Sequence, residues 1–449
     1  MTNSVALGER PIRYRLIKTL WLMYVLFPFR WQGVGAVQNT LYYGISLICF
    51  LTVLYRLNKW QIRSSYFFNL LTYLGLFLIL TIITAIVPFV KNTNDYTYLS
   101  NYLYYWGRLF VIGGTLALSK SLISYLKLMI DAINTYVFFS VVLLIPTLHN
   151  IYQGIVVTNT SSYEQFQNLY SQNYYTRFGL QGFSGYSATI MCTIAVILCC
   201  YLLVNAIKDK QKYKSYIMRA FIAMIGTAMY GRIGFIVSVV LIAVTILYLA
   251  LFYQRFGLLI TVVLVGVIAI GLFIAIAKQL EQISSIRWMF EGFFNYLDYG
   301  KFSTSSSNQL ATMYVHPSLN TFLYGDGYYT VMGSYYMQTD VGFLRPLLFY
   351  GIFGEIIYYL QLLPLLAGIR RALKLNDGFF LIILFLLFIV IFEFKGETVM
   401  TLIGTLFAMI GMIILDQSNQ SKKEAKAWKS TYSSWINSRP GALRRFWPT

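Results

Sequence analysis

Asp340 and Arg345 stand about one helical turn apart, where a glycine- and tyrosine-rich segment, Leu323–Gly351, runs into an apolar stretch. Charged groups at a membrane surface are costly unless they are used. A carboxylate placed like Asp340 suits a general base that takes a proton from an attacking hydroxyl. Arg345 is expected beside it, either serving the site or forming an ion pair that only caps the helix. Glu393 and Glu397, in Glu393-Phe394-Lys395-Gly396-Glu397, form a second acidic cluster, suited to orienting arginines or to acting as the base instead. The candidates for gripping an anion are Arg177, Arg232, Arg287 and Arg345. A guanidinium presents a planar fork of donors that matches phosphate oxygens, and several together can hold a diphosphate without a metal. Arg232 lies in Tyr230-Gly231-Arg232-Ile233-Gly234, where glycines let backbones and ligands approach closely. Arg177 precedes Phe178-Gly179, and Arg287 stands beside Trp288. His316, in Val315-His316-Pro317, is a further ligand-binding candidate, although a lone loop histidine is more often a surface polar group. No metal site is expected: the outer acids form no D-x-D pair, and H-E-x-x-H is absent. The chain also lacks a Walker motif, which argues against ATP-driven transport by this protein alone. No cofactor is implied.

These residues need elements to position them, and composition says which. The 449 residues are 58% hydrophobic and 11% charged, with a mean hydropathy of +0.62. A soluble core does not need so much apolar surface. Apolar runs of about 20 residues predict spanning helices. The expected fold is all-α, a polytopic integral membrane protein with about twelve transmembrane helices and two long extracytoplasmic loops. Spans are placed near residues 17–29, 40–55, 66–90, 101–119, 122–147, 184–206, 216–230, 232–253, 257–277, 341–365, 378–394 and 398–415. Residues 1–415 form the bundle, with outer loops 149–183 and 278–340 packed on it. Residues 416–449 form a basic cytoplasmic tail. No cleavable signal sequence is visible after the basic N-terminus. The four cysteines lie in apolar runs without metal-ligand spacing and read as buried thiols.

A formal charge of +19 marks topology here and not nucleic-acid binding. Most lysines and arginines fall in segments placed on the cytoplasmic side, with both termini there, as the positive-inside bias requires. The exceptions are Arg30, Lys91, Arg108, Arg177, Arg232, Lys278, Arg287, Lys301, Arg345 and Lys395. An anionic ligand on the outer face would explain a group of them; snorkelling side chains would explain Arg30 and Lys91. Asp131 and Glu355 fall inside spans and are each expected to pair with a neighbouring helix. Arg108 is expected to face the interior and to need an acid or an anion.

The order of features resembles the Wzy-type polysaccharide polymerases, within the wider O-antigen polymerase and ligase group. The resemblance runs over roughly residues 170–400. It rests on Gly231-Arg232-Ile233-Gly234 opening a span, on Arg287 followed by the Ser303–Ser307 stretch, on Leu323-Tyr324-Gly325-Asp326-Gly327, and on Thr339–Arg345 leading into Tyr350-Gly351-Ile352-Phe353-Gly354. It implies a metal-independent membrane glycosyltransferase in the cell membrane. Such an enzyme joins undecaprenyl-diphosphate-linked oligosaccharide repeat units, donor and acceptor both, into capsular or other surface polysaccharide by inverting transfer. A chain-length regulator and a flippase are the partners it implies, besides the bilayer. Ligase relatives carry a histidine where this chain has Thr339-Asp340, which favours polymerase. The alternatives are a ligase-like transfer of glycan to another acceptor and a flippase or transporter of the lipid-linked unit. A transporter is expected to show repeat symmetry and charges deep in a lumen, and neither is plain here.

Overall fold

The computed structural model describes residues 12–57, 64–157, 177–373 and 375–416. Hydrocarbon offers the backbone no hydrogen-bond partners, so apolar segments close their bonds internally as helices. Among the described residues, eight helices are long and apolar enough to cross a membrane: Gly35–Arg56, Tyr66–Val90, Leu122–Val142, Tyr186–Lys208, Arg232–Tyr253, Phe256–Ala275, Leu344–Ala372 and Val399–Asp416. The chain is a polytopic, all-α membrane protein. Four further expected segments are also helical, as Ile12–Leu26, Thr97–Thr115, Lys214–Tyr230 and Leu375–Glu393, but they are shorter or more polar. Among the described residues, sheet is limited to an isolated bridge between Trp31 and Val156 and two small antiparallel hairpins. One pairs Phe178 with Phe183 and Gly179 with Gly182; the other pairs Thr330 with Tyr335 and Val331 with Ser334.

The Tyr186–Lys208 helix is the axis of the bundle, with 89% of its apolar window buried by protein. The helices Leu122–Val142, Lys214–Tyr230, Arg232–Tyr253 and Leu375–Glu393 pack around it. Small residues make this approach possible. A side chain at Gly231 would begin 2.6 Å from the Thr189 hydroxyl oxygen, so the Tyr230–Arg232 junction lies directly on the central helix. Phe256–Ala275, at the other extreme, has none of its window buried.

The two ends of the bundle differ. At one end Asp131 bonds Arg15 at 2.6 Å and Arg219 at 3.0 Å, as expected for an acid within a span. Arg56 there donates to the Ser119 carbonyl at 3.4 Å. The other end carries the loops. Residues 278–340 are not a free excursion: they form short helices and a hairpin laid on the bundle. Asp95 accepts from the backbone N–H of Tyr329 at 2.6 Å and of Thr330 at 2.7 Å, and Thr93 donates to the Gly327 carbonyl at 2.9 Å. Gly325 (φ +64°) and Gly351 (φ +73°) each meet the other's backbone where a side chain would begin, so only glycine suits either position. That contact locks the loop onto the start of the Leu344–Leu360 helix. Residues 158–176 of the first long loop and the tail from 417 lie outside the described residues.

One expectation about charges inside the bundle needs correction, and a second is met in part. Glu355 forms no ion pair or hydrogen bond with any described residue; the hydroxyl on its face, that of Tyr359, is given to Glu393 instead. Arg108 meets no acid among the described residues. It donates to the Leu26 carbonyl at 3.4 Å and lies 5.9 Å from the Tyr104 ring centre. The short first helix ends inside the bundle, and the guanidinium answers the negative end of its dipole.

Candidate functional site

The loop-bearing end gathers three basic side chains from distant parts of the chain. Arg177 opens the Phe178–Phe183 hairpin with φ +64°, a conformation that costs a non-glycine residue about 1–2 kcal/mol. Its N–H bonds the Met229 carbonyl at 3.3 Å and its carbonyl receives Ser184 N–H at 2.6 Å. These bonds hold it beside the Tyr230–Arg232 junction. Arg232 is the first residue of the Arg232–Tyr253 helix. The two guanidinium carbons lie 4.9 Å (Arg177) and 4.6 Å (Arg232) from the ring centre of Trp288, which is buried. Stacking on indole holds a guanidinium without using its N–H donors.

Glu291 restrains Arg232 from one side. Its carboxylate pairs with Arg232 Nη1 and also accepts Ser305 N–H at 2.9 Å and the Ser305 hydroxyl at 3.2 Å. Arg232 Nε and Nη2 are buried and have no hydrogen-bond partner. Such donors are rarely left unmade. The third cation is Lys395, in the turn between the last two helices, where its N–H bonds the Phe392 carbonyl at 2.8 Å. Burial, and then the proximity of Arg177 and Arg232, push its ammonium below the ordinary lysine value, while nearby Asp340 pulls the other way. Asp340 is held in the electrostatic neighbourhood of Lys395 because Gly342 N–H bonds the Glu393 carbonyl at 2.9 Å, fixing this stretch of loop along the turn. Asp340 itself is half-buried. The result is a positive cluster with one aromatic wall, two acids nearby and two unused guanidinium donors.

Arg345 belongs to a second, separate network. Its partner is Glu397, at 3.7 Å, and both are largely buried; the expected Asp340–Arg345 neighbourhood is absent. The helix begins only at Leu344, so helical spacing does not bring residue 340 over residue 345. Arg345 lies 4.3 Å and 3.8 Å from the ring centres of Tyr329 and Tyr335 and donates to the Tyr329 hydroxyl. Glu397 accepts the hydroxyls of Tyr98 at 2.7 Å, Tyr358 at 3.0 Å and Tyr329 at 3.0 Å. A carboxylate with that many donors is committed to structure. Glu393 is committed too: it receives Thr398 N–H at 2.7 Å and Val399 N–H at 3.1 Å, capping the last helix, and the Tyr359 hydroxyl at 3.0 Å.

Of the residues singled out by sequence, the structure brings Arg177 and Arg232 together on Trp288, with Asp340 near enough to act electrostatically on Lys395. Arg287 turns away, to Glu281 at 3.2 Å, with its side chain 53% exposed; its neighbour Trp288 meets Arg177 and Arg232 instead. His316 is exposed on the loop. Sequence reading missed the roles of Trp288, Glu291 and Lys395. Lys395 carried a signal, as an outer basic residue between two acids beside a glycine. No family model, no curated protein and no solved structure matches this chain.

Proposed function

We propose that this protein polymerises polyprenyl-diphosphate-linked oligosaccharide repeat units on the outer face of the cell membrane. It crosses about twelve times, with both termini cytoplasmic and the loop-bearing end outside. The observation that carries the reading is the convergence of Arg177, Arg232 and Lys395 around Trp288, with two guanidinium nitrogens unmet and Asp340 alongside. Such a cluster of cations suits an anion with several oxygens. A glycosyl diphosphate also stores the energy of transfer, so no nucleotide is needed.

The reaction follows from the charges. The acceptor sugar's hydroxyl oxygen attacks the anomeric carbon of the donor, and Asp340 takes its proton. The carbon–oxygen bond to the diphosphate breaks, and its electron pair leaves with the polyprenyl diphosphate. Negative charge therefore grows on the leaving group, where the two arginines and Lys395 are already in place. Arg345 and Glu397 keep the loop over the site, and Arg287 stands outside the first ring of contacts. The test is purified protein in nanodiscs with a synthetic lipid-linked repeat unit. A ladder of products on a gel supports the proposal. Absence of any ladder, together with single units accumulating on the cytoplasmic side of cells carrying Arg232→Ala, would make the protein a flippase.

A further inference from the structure

The three cations come from three elements, and one short stretch meets them all. Residues 184–189 lead into and begin the central Tyr186–Lys208 helix. Ser184 N–H bonds the Arg177 carbonyl at 2.6 Å. Thr189 stands where a side chain at Gly231 would begin, which seats Arg232. Tyr186 takes the third. Its hydroxyl lies 2.7 Å from the Phe392 carbonyl and 2.8 Å from the Gly396 carbonyl, acceptors on either side of Lys395. One phenol proton is shared between them, and the Thr398 hydroxyl stands 2.9 Å away. The ring lies against Gly396, where a side chain would begin 2.9 Å from two of its carbons. The turn's other bonds run within itself or to the loop. Lys395 and Gly396 N–H both meet the Phe392 carbonyl, while Gly342 N–H and the Tyr314 hydroxyl reach the Glu393 and Phe394 carbonyls. The Tyr186 hydroxyl ties the turn to the helix that also registers both arginines.

We propose that Tyr186 is a positioning residue: its hydroxyl sets the Lys395 ammonium against Arg177 and Arg232, so that the three charges address one anion. The placement does not depend on what that anion is. Its consequence for catalysis rests on the glycan reading, in which Lys395 faces the departing diphosphate. Without the hydroxyl, the ring still fills its space but no longer fixes the turn. The groups acting on Lys395 are Arg177 and Arg232, from two other elements, and Asp340, from the loop; Glu393 and Glu397 lie two residues to either side of it. A turn that drifts from the arginines returns the ammonium toward its ordinary value.

The test follows Lys395 directly. The full chain in nanodiscs is treated with a small amine-acylating reagent across a range of pH, and modification of Lys395 is read by mass spectrometry. Tyr186→Phe is expected to move the half-point upward by roughly 0.5–1 pH unit. Gly396→Ala keeps the hydroxyl but drives a methyl group into the ring, and is expected to move the half-point the same way. Tyr125→Phe gives up a buried bond to the Thr115 hydroxyl at 2.7 Å, away from the cluster. It is the control for general loosening and is expected to leave Lys395 unchanged. In the ladder assay Tyr186→Phe is expected to lower kcat roughly 10- to 100-fold, with KM little changed and the alkaline limb of the pH–rate profile raised. A Lys395 profile unmoved by Tyr186→Phe, or moved as far by Tyr125→Phe, overturns the proposal. A moved profile in a protein that makes no ladder keeps the placement and counts against the glycan reading alone.

Discussion

Replacing Arg232 with alanine is the sharpest probe of the cationic cluster. Its Nη1 is already engaged by Glu291, so that nitrogen adds little to ligand binding. Nε and Nη2 are buried and unmet, and each is available for one charge-assisted bond to a phosphate oxygen, worth about 1.5–3 kcal/mol. Losing both removes about 3–6 kcal/mol of transition-state stabilisation, or roughly a 10²- to 10⁴-fold loss in kcat/KM. Arg232→Lys keeps the charge but not the fork, and is expected to fall between wild type and alanine. The assay is the rate of ladder formation in nanodiscs at several substrate concentrations. Melting temperature and Trp288 fluorescence serve as fold controls. An alanine variant within about five-fold of wild type, with the fold intact, refutes the assignment.

Four other outcomes follow from the same structure. Lys395 sits below the ordinary lysine value because of burial and its two arginine neighbours, so its charged form is disfavoured in the fold; that penalty is present at neutral pH and disappears as pH rises through the shifted value toward the ordinary one. Lys395→Met should therefore raise the melting temperature at pH 7 while lowering activity, and Lys395→Arg should move the alkaline limb of the pH–rate profile upward. Asp340→Asn should lower kcat by roughly 10²- to 10⁴-fold with little change in KM; near-normal polymer length in cells would remove Asp340 from the base role. Glu397→Gln leaves Arg345 buried without its counter-charge, a loss of about 3–5 kcal/mol to be read as a lower melting temperature; unchanged stability with lost activity would instead make Glu397 catalytic. Burial acts to raise the Asp95 carboxyl, but its bonds from Thr330, Thr97 and Tyr329 outweigh it and hold the carboxyl below the usual carboxylate value. Its stabilisation is thus full above that usual value and is lost as pH falls through the lowered one. Asp95→Asn should open residues 325–340 to hydrogen exchange at neutral pH, as acid does in the wild type.

Eight of the helices were legible because a span announces itself by length and apolarity; the other four expected segments are helical but shorter or more polar. The loops' contacts were not. Arg345 looks like a partner for Asp340 in the sequence, yet its counter-charge arrives from Glu397, far along the chain. Separation in sequence says nothing about which acid a buried guanidinium will meet. Arg287 and Trp288 show a second limit. They are neighbours on a helix only six residues long, too short for any periodicity to reveal which one faces inward. Arg232 was legible because its flanking glycines marked a close approach, and Thr189 supplies the surface they approach.

The Tyr186–Lys208 helix is wrapped by protein on nearly every side, yet it is as apolar as one bathed in lipid. During synthesis it leaves the insertion machinery before Leu375–Glu393 and Val399–Asp416 exist to cover it. Its composition lets it wait in the bilayer until those late segments arrive. Assembly of this protein is then a matter of shape finding shape among segments already inserted, and a defect in the final helices should leave a stably inserted but open precursor.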